Sequence, residues 1–180
     1  RVAAASGDAK ARVARVADGV VVTLRSSMVT EALADDAELV SLEACAECKV
    51  NKALAAEWAT LRAPLVAALA AQPHKVTVTG HGASAALATL AALDLAEAGV
   101  PVSELVTFGE PRVGNPAFAA YYEDSAVYPH FRVTHGRDPI VHAPSAAAGF
   151  VHVGREVFFN KASSSYVMCG RGEDPACSLS

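Results

Sequence analysis

Between the β-branched run Val76–Thr79 and an alanine-rich stretch the chain reads Gly80-His81-Gly82-Ala83-Ser84-Ala85-Ala86. A serine displayed on a tight strand-to-helix turn can attack an ester carbonyl, because small neighbours permit the strained backbone and the helix N-terminus favours developing negative charge. Gly82-Ala83-Ser84-Ala85-Ala86 imitates such a small-x-Ser-x-small turn. Ser84 falls in the expected first turn of the helix, however, where a serine commonly caps by accepting a backbone N–H; cap or turn residue is favoured over nucleophile. A nucleophile also needs a base that an acid orients. Asp138, a carboxylate ahead of Pro139, reads from its neighbours alone as a turn or capping residue. Of the six histidines, His81 precedes the turn, His135 and His152 stand at expected strand ends, and His74, His130 and His142 fall in expected loops or termini. A lone histidine without a placed acid and nucleophile is seldom catalytic, so none takes the role of base.

The four cysteines fall as two local pairs, Cys45 with Cys48 and Cys169 with Cys177, each close enough to close a small loop. A haem site would want His after Cys48, where Lys49 stands, and a zinc ribbon would want a second CxxC. Two disulfides are favoured over metal or redox chemistry, and they imply an extracytoplasmic, secreted setting. No metal and no cofactor is expected.

These residues need a scaffold. Arg12 to Val16 alternates charged and apolar, Asp18-Gly19 supplies a turn, and Val20 to Leu24 is an apolar β-branched run, together a hairpin leading into a buried strand. Leu54, Trp58, Leu61, Leu65 and Leu69 recur at helical spacing from Ala53 to Ala71, with Pro73 as a stop. A strand over Val76 to Thr79 precedes a helix from Ala85 to Ala98; a strand over Leu105 to Phe108 precedes a helix from Pro116 to Tyr122. Phe131 to Thr134 and Val151 to Phe159 carry further strand signals. Strands alternating with helices predict an α/β sandwich around a mostly parallel sheet. At 180 residues, 52% hydrophobic and 19% charged, one domain spanning residues 1–180 is expected. The net charge of -4 is spread without a basic block, so nucleic acid is excluded as a partner. The alanine-rich stretches are interrupted by charges or proline, so no transmembrane segment is expected. No charged start with an apolar run opens the chain, so a secretion signal is expected to have been removed already.

The stretch Val76-Thr-Val-Thr-Gly-His81 with Ala86-Leu-Ala-Thr-Leu-Ala-Ala-Leu-Asp-Leu95 resembles the strand, elbow and helix of class 3 (fungal-type) lipases. Thr107-Phe-Gly-Glu-Pro-Arg-Val-Gly-Asn115 resembles that family's segment after the next strand, and Arg132-Val-Thr-His-Gly-Arg-Asp138 its acid loop. Gly149 to Val157, Cys169 to Ser178, Val20 to Ser27 and Cys45 to Val50 resemble further parts of the family in the same order along the chain. The resemblance implies an α/β-hydrolase fold and a three-layer sandwich. It also places Gly82 where the family's G-x-S-x-G carries its serine, and glycine has no side chain to attack with. Ala83, Ser84 and Ala85 depart from the family pattern too, which favours natural divergence over a single exchange. A turn without the serine is expected to need less strain.

By the same resemblance Asp138 is the inherited acid position, and the family's histidine lies beyond the loop like Cys169 to Ser178, where no histidine follows. Arg25-Ser26-Ser27 stands where the family has Arg-Gly-Ser/Thr, leaving the Ser27 hydroxyl and the Ala83 N–H as oxyanion-binding groups. The lid region, Met28 to Val40, is acidic through Glu31, Asp35, Asp36 and Glu38, less apolar than interfacial activation would want. Relative to the family the chain is expected to be short at both ends, exposing apolar surface that a partner chain or oligomer would cover, with a histidine supplied in trans as one outcome. The resulting expectation is an inactive, secreted lipase-like protein that binds an acyl or lipid-like ligand or another protein. A weak ester hydrolase using Ser84 and a structural subunit of an assembly are the alternatives.

Overall fold

A computed structural model describes residues 2–70, 74–126, 128–162 and 164–178. The chain opens with β1 (Val2–Ser6), β2 (Ala9–Val16) and β3 (Gly19–Arg25), an antiparallel meander in which Val16 pairs with Gly19 across the Asp18-Gly19 turn. A short helix, α1 (Val29–Leu33), then leads to a two-stranded hairpin of β4 (Leu39–Ser41) and β5 (Lys49–Asn51). Cys45 and Cys48 are bonded within its loop, their Cα atoms 5.3 Å apart.

Asn51 accepts the Ala53 and Leu54 N–H groups at 3.0 and 3.2 Å, which starts α2 (Lys52–Ala70) by supplying partners for otherwise orphaned donors. The apolar stripe of α2 is buried as its spacing predicts, and Glu57 is buried with it. The expected stop at Pro73 lies outside the described residues. Contrary to the reading of the sequence, α2 has the length and composition to cross a bilayer. Its apolar stripe is used inside the fold, packed on β1 and α3, while Lys52 pairs with Glu38 and Arg62 with Asp94 at 2.6 Å each.

The remaining chain alternates β6 (Val76–His81), α3 (Ala83–Glu97), β7 (Val102–Phe108), α4 (Pro116–Ser125), β8 (His130–His135), β9 (Arg155–Phe159) and β10 (Tyr166–Arg171). One eight-stranded sheet runs β1-β2-β3-β6-β7-β8-β9-β10, parallel from β3 through β9 and antiparallel at both edges. The strand expected over Val151 to Phe159 is shorter, because Gly154 at φ 70° breaks the run before Arg155. The α3 helix packs on β3, β6, β7 and α2, and from Ala83 to Leu95 only Ser84 and Asp94 escape full burial. Its alanines allow that close approach to sheet and neighbouring helix alike. Exposed apolar side chains gather on the edge strand β10, at Tyr166, Val167 and Met168.

Candidate active site

The parallel strands β6, β7 and β8 end on one edge of the sheet, the edge where open α/β sheets build their sites. There β6 gives way to α3 at Gly82, whose φ of 58° and ψ of -132° mark a sharp elbow. Gly82 donates to the Phe108 carbonyl at 2.9 Å, and its own carbonyl accepts the Ala85 N–H at 2.8 Å. The expectation of a relaxed turn is therefore corrected: the strand-to-helix connection and its hydrogen bonds impose the left-handed backbone whether or not a hydroxyl is present. Gly80 serves a different purpose, since a Cβ there would stand 2.2 Å from the Ser84 carbonyl oxygen. A Cβ at Gly82 would meet nothing within 4 Å, so the elbow points an empty position at open space.

Ser84 lies two residues inside the elbow. Its Oγ accepts the Ser26 N–H at 2.9 Å, and among the described residues no histidine nitrogen bonds it. The expected local cap is thus corrected: Gly82 holds the N-cap position, and Ser84 ties α3 to the loop after β3 across the fold.

That loop is held from α2 as well. Glu57 Oε1 accepts the Ser27 N–H at 2.7 Å and the Ser27 hydroxyl at 2.6 Å, while Oε2 accepts the Ser26 hydroxyl at 2.5 Å. Ser27 therefore does not present a free hydroxyl to the elbow, as expected from sequence, because its hydrogens are already engaged. Ala83 opens α3, where backbone N–H groups have no intrahelical acceptor. Glu57 was not singled out in the sequence, although a carboxylate three residues after Leu54, on the apolar stripe of α2, was the available signal.

Asp138 follows β8 and accepts the Ile140 N–H at 2.9 Å, capping the turn Pro139–His142 as the Asp138-Pro139 pair predicts. Its Oδ2 also stands 3.0 Å from where a Cβ of Gly109 would lie, with His81 Nε2 3.9 Å from the same point. Since Phe108 is bonded to Gly82, the elbow, Asp138 and His81 share one neighbourhood, with no hydrogen bond between Asp138 and His81.

Behind this edge lies a polar cluster that the sequence reading missed. Glu110 is buried and takes the Thr89 hydroxyl at 2.9 Å, the Thr107 hydroxyl at 2.5 Å and His130 Nε2 at 3.0 Å. His130, expected in a loop, opens β8 and meets the Tyr122 hydroxyl at 3.0 Å; burial pushes that phenol well above its ordinary value. Arg112 donates to the His142 and Pro144 carbonyls at 2.5 and 3.0 Å and pairs with Glu173 at 2.7 Å. Burial raises Glu173, but its hydrogen bonds with Arg112 and the His152 N–H outweigh this and leave it low. Arg132 donates to Val153 and Gly172, and burial lowers it. His152 is driven well below its ordinary value by burial first and by Arg132 and Arg112 next. Glu156, Cys169 and Cys177 cluster closely, but Cys169 and Cys177 are bonded to one another, Cα atoms 6.3 Å apart, and offer no thiolate to a metal.

A family model for class 3 lipases matches residues 21–148. The chain is 38% identical over 128 residues to a lipase of Rhizomucor miehei, covering 66% of this chain and 35% of that protein. It is 34% identical to a secreted mono- and diacylglycerol lipase A of Penicillium cyclopium, covering 68% of this chain and 41% of that one. The chain thus matches over well under half the length of these relatives. Among solved structures, the native Rhizomucor miehei lipase propeptide complex matches with a TM-score of 0.84 at 32% identity, over 98% of this chain and 61% of that one. With its elbow at the carboxyl edge of a mostly parallel sheet and its two short disulfide loops, the chain belongs to the class 3 lipase family and has the α/β-hydrolase fold.

Proposed function

We propose that this chain is a secreted lipase-fold protein that does not hydrolyse esters and instead uses the open elbow face to bind an acyl or lipid-like ligand or a partner chain. The observation that carries the reading is Gly82: the elbow retains its geometry, and the position that would aim a hydroxyl carries only hydrogen. Ser84 is a poor substitute, because its oxygen is held by the Ser26 N–H and no imidazole reaches it among the described residues. Asp138 is the inherited acid position in this reading, Gly82 the degenerate nucleophile position, and Ser27 and Ala83 the remnants of an oxyanion site. The two disulfides and the relative named as a secreted lipase support secretion.

The rival is a weak carboxylic ester hydrolase, favoured by the kinship with proteins named as lipases and by Asp138 beside the elbow. Incubation with p-nitrophenyl butyrate and with a fluorophosphonate probe separates the two. No turnover above buffer and no labelled serine are expected. Turnover that disappears in Ser84→Ala would instead establish the hydrolase.

A further inference from the structure

We propose that the loop after β3 is a receptor for a small carboxylate, and that Glu57 fills it from inside the protein. This deepens the reading above, on which it rests for the loop's role beside the elbow. Three donors converge on one carboxylate: the Ser27 N–H at 2.7 Å, the Ser27 hydroxyl at 2.6 Å and the Ser26 hydroxyl at 2.5 Å. Glu57 is only 4% exposed, and among the described residues no cation pairs with it. Burying carboxylate oxygens is costly unless donors satisfy them, and here the loop supplies three.

The loop is also fixed in this orientation. Ser26 accepts the Met28 N–H on its hydroxyl at 3.0 Å and donates its own N–H to Ser84 at 2.9 Å. The Ser27 N–H has a single hydrogen, as has each serine hydroxyl, so an oxyanion arriving at the elbow from outside finds none of the three available. Glu57 is thus a positioning residue that keeps the loop's donors turned toward α2. The absent hydroxyl at Gly82 and the filled receptor are two independent obstacles to acyl transfer at one site.

The test is chemical rescue. In Glu57→Ala the vacated donors should bind formate or acetate, so either salt should raise the melting temperature of the variant well above the value in chloride at equal ionic strength, with no such difference in the wild type. The Ser27 amide should exchange its hydrogen roughly tenfold faster or more in the variant, the loss of a bond to a charged acceptor, and regain protection in formate. An equal response of wild type and variant to formate, or unchanged exchange at Ser27, overturns the proposal. If Glu57→Ala does not fold in either salt, Glu57→Gln decides by the same exchange measurement, since the amide keeps the volume but loses the charge. Neither readout involves turnover: an active wild type with a protected Ser27 would refute only the earlier reading, and an inactive one with an unprotected Ser27 only this one.

Discussion

A side chain added at Gly82 would enter open space at a positive φ, whereas one added at Gly80 would run into the Ser84 carbonyl. The two glycines should therefore respond differently to substitution. Gly82→Ser is expected to cost about 1–2 kcal/mol, the conformational penalty of a left-handed non-glycine residue. Gly80→Ala should cost about 3 kcal/mol or more, because backbone must move. Urea denaturation of both variants checks the order, and equal costs would contradict the elbow geometry. Gly82→Ser is also expected to remain inactive in the p-nitrophenyl butyrate assay, since the donors of Ser27 are engaged by Glu57. Rapid hydrolysis by that single variant would show that a missing oxygen was the sole obstacle.

Among the elements, the loop closed by Cys169 and Cys177 does more than join β10 to the end of the described chain. It carries the Gly172 carbonyl to the buried Arg132 and the Glu173 carboxylate to the buried Arg112, so it supplies acceptors for two guanidinium groups inside the fold. Closing a loop of this size contributes about 2.5 kcal/mol by chain entropy alone. Replacing both cysteines by serine should cost at least that, because the acceptors are loosened as well. The Cys45–Cys48 clip closes a shorter loop, and the corresponding double serine variant is expected to melt at a higher temperature than the first. The reverse order in thermal melts would count against the docking of the loop on the arginines.

For the whole molecule, stability should depend on pH through two groups whose windows open at different pH values. His152 is held well below its ordinary value of 6.5 in the folded state, so below that pH the unfolded chain binds a proton that the folded chain refuses. Its contribution is complete above pH 6.5 and is lost as the pH falls, at up to about 1.4 kcal/mol per pH unit. Glu173 is lowered below its ordinary 4.5, so its contribution is present above that pH and disappears only as the pH falls further, through its folded value. Denaturation curves between pH 7 and pH 5 should show the first window, and His152→Gln should flatten it. A wild type equally stable across that interval would remove His152 as the cause.

Local pattern made much of this chain legible. The period of Leu54, Trp58, Leu61, Leu65 and Leu69 specified α2, the Asp18-Gly19 turn specified the β2–β3 hairpin, and the spacing of the cysteines specified both disulfides. Gly82 was legible by another route, because the resemblance to class 3 lipases set it at the family's serine position without coordinates. Contacts between distant segments were not legible. Ser26 and Ser84 are 58 residues apart, Ser27 and Glu57 30, and Arg112 and Glu173 61, and no periodicity links such partners. A hydroxyl, an amide and a carboxylate look the same in a sequence whether they face a ligand or each other. Which donors remain for a ligand depends on which groups folding has already brought within bonding distance, and only the packing of α2 and α3 around the loop after β3 decided that here.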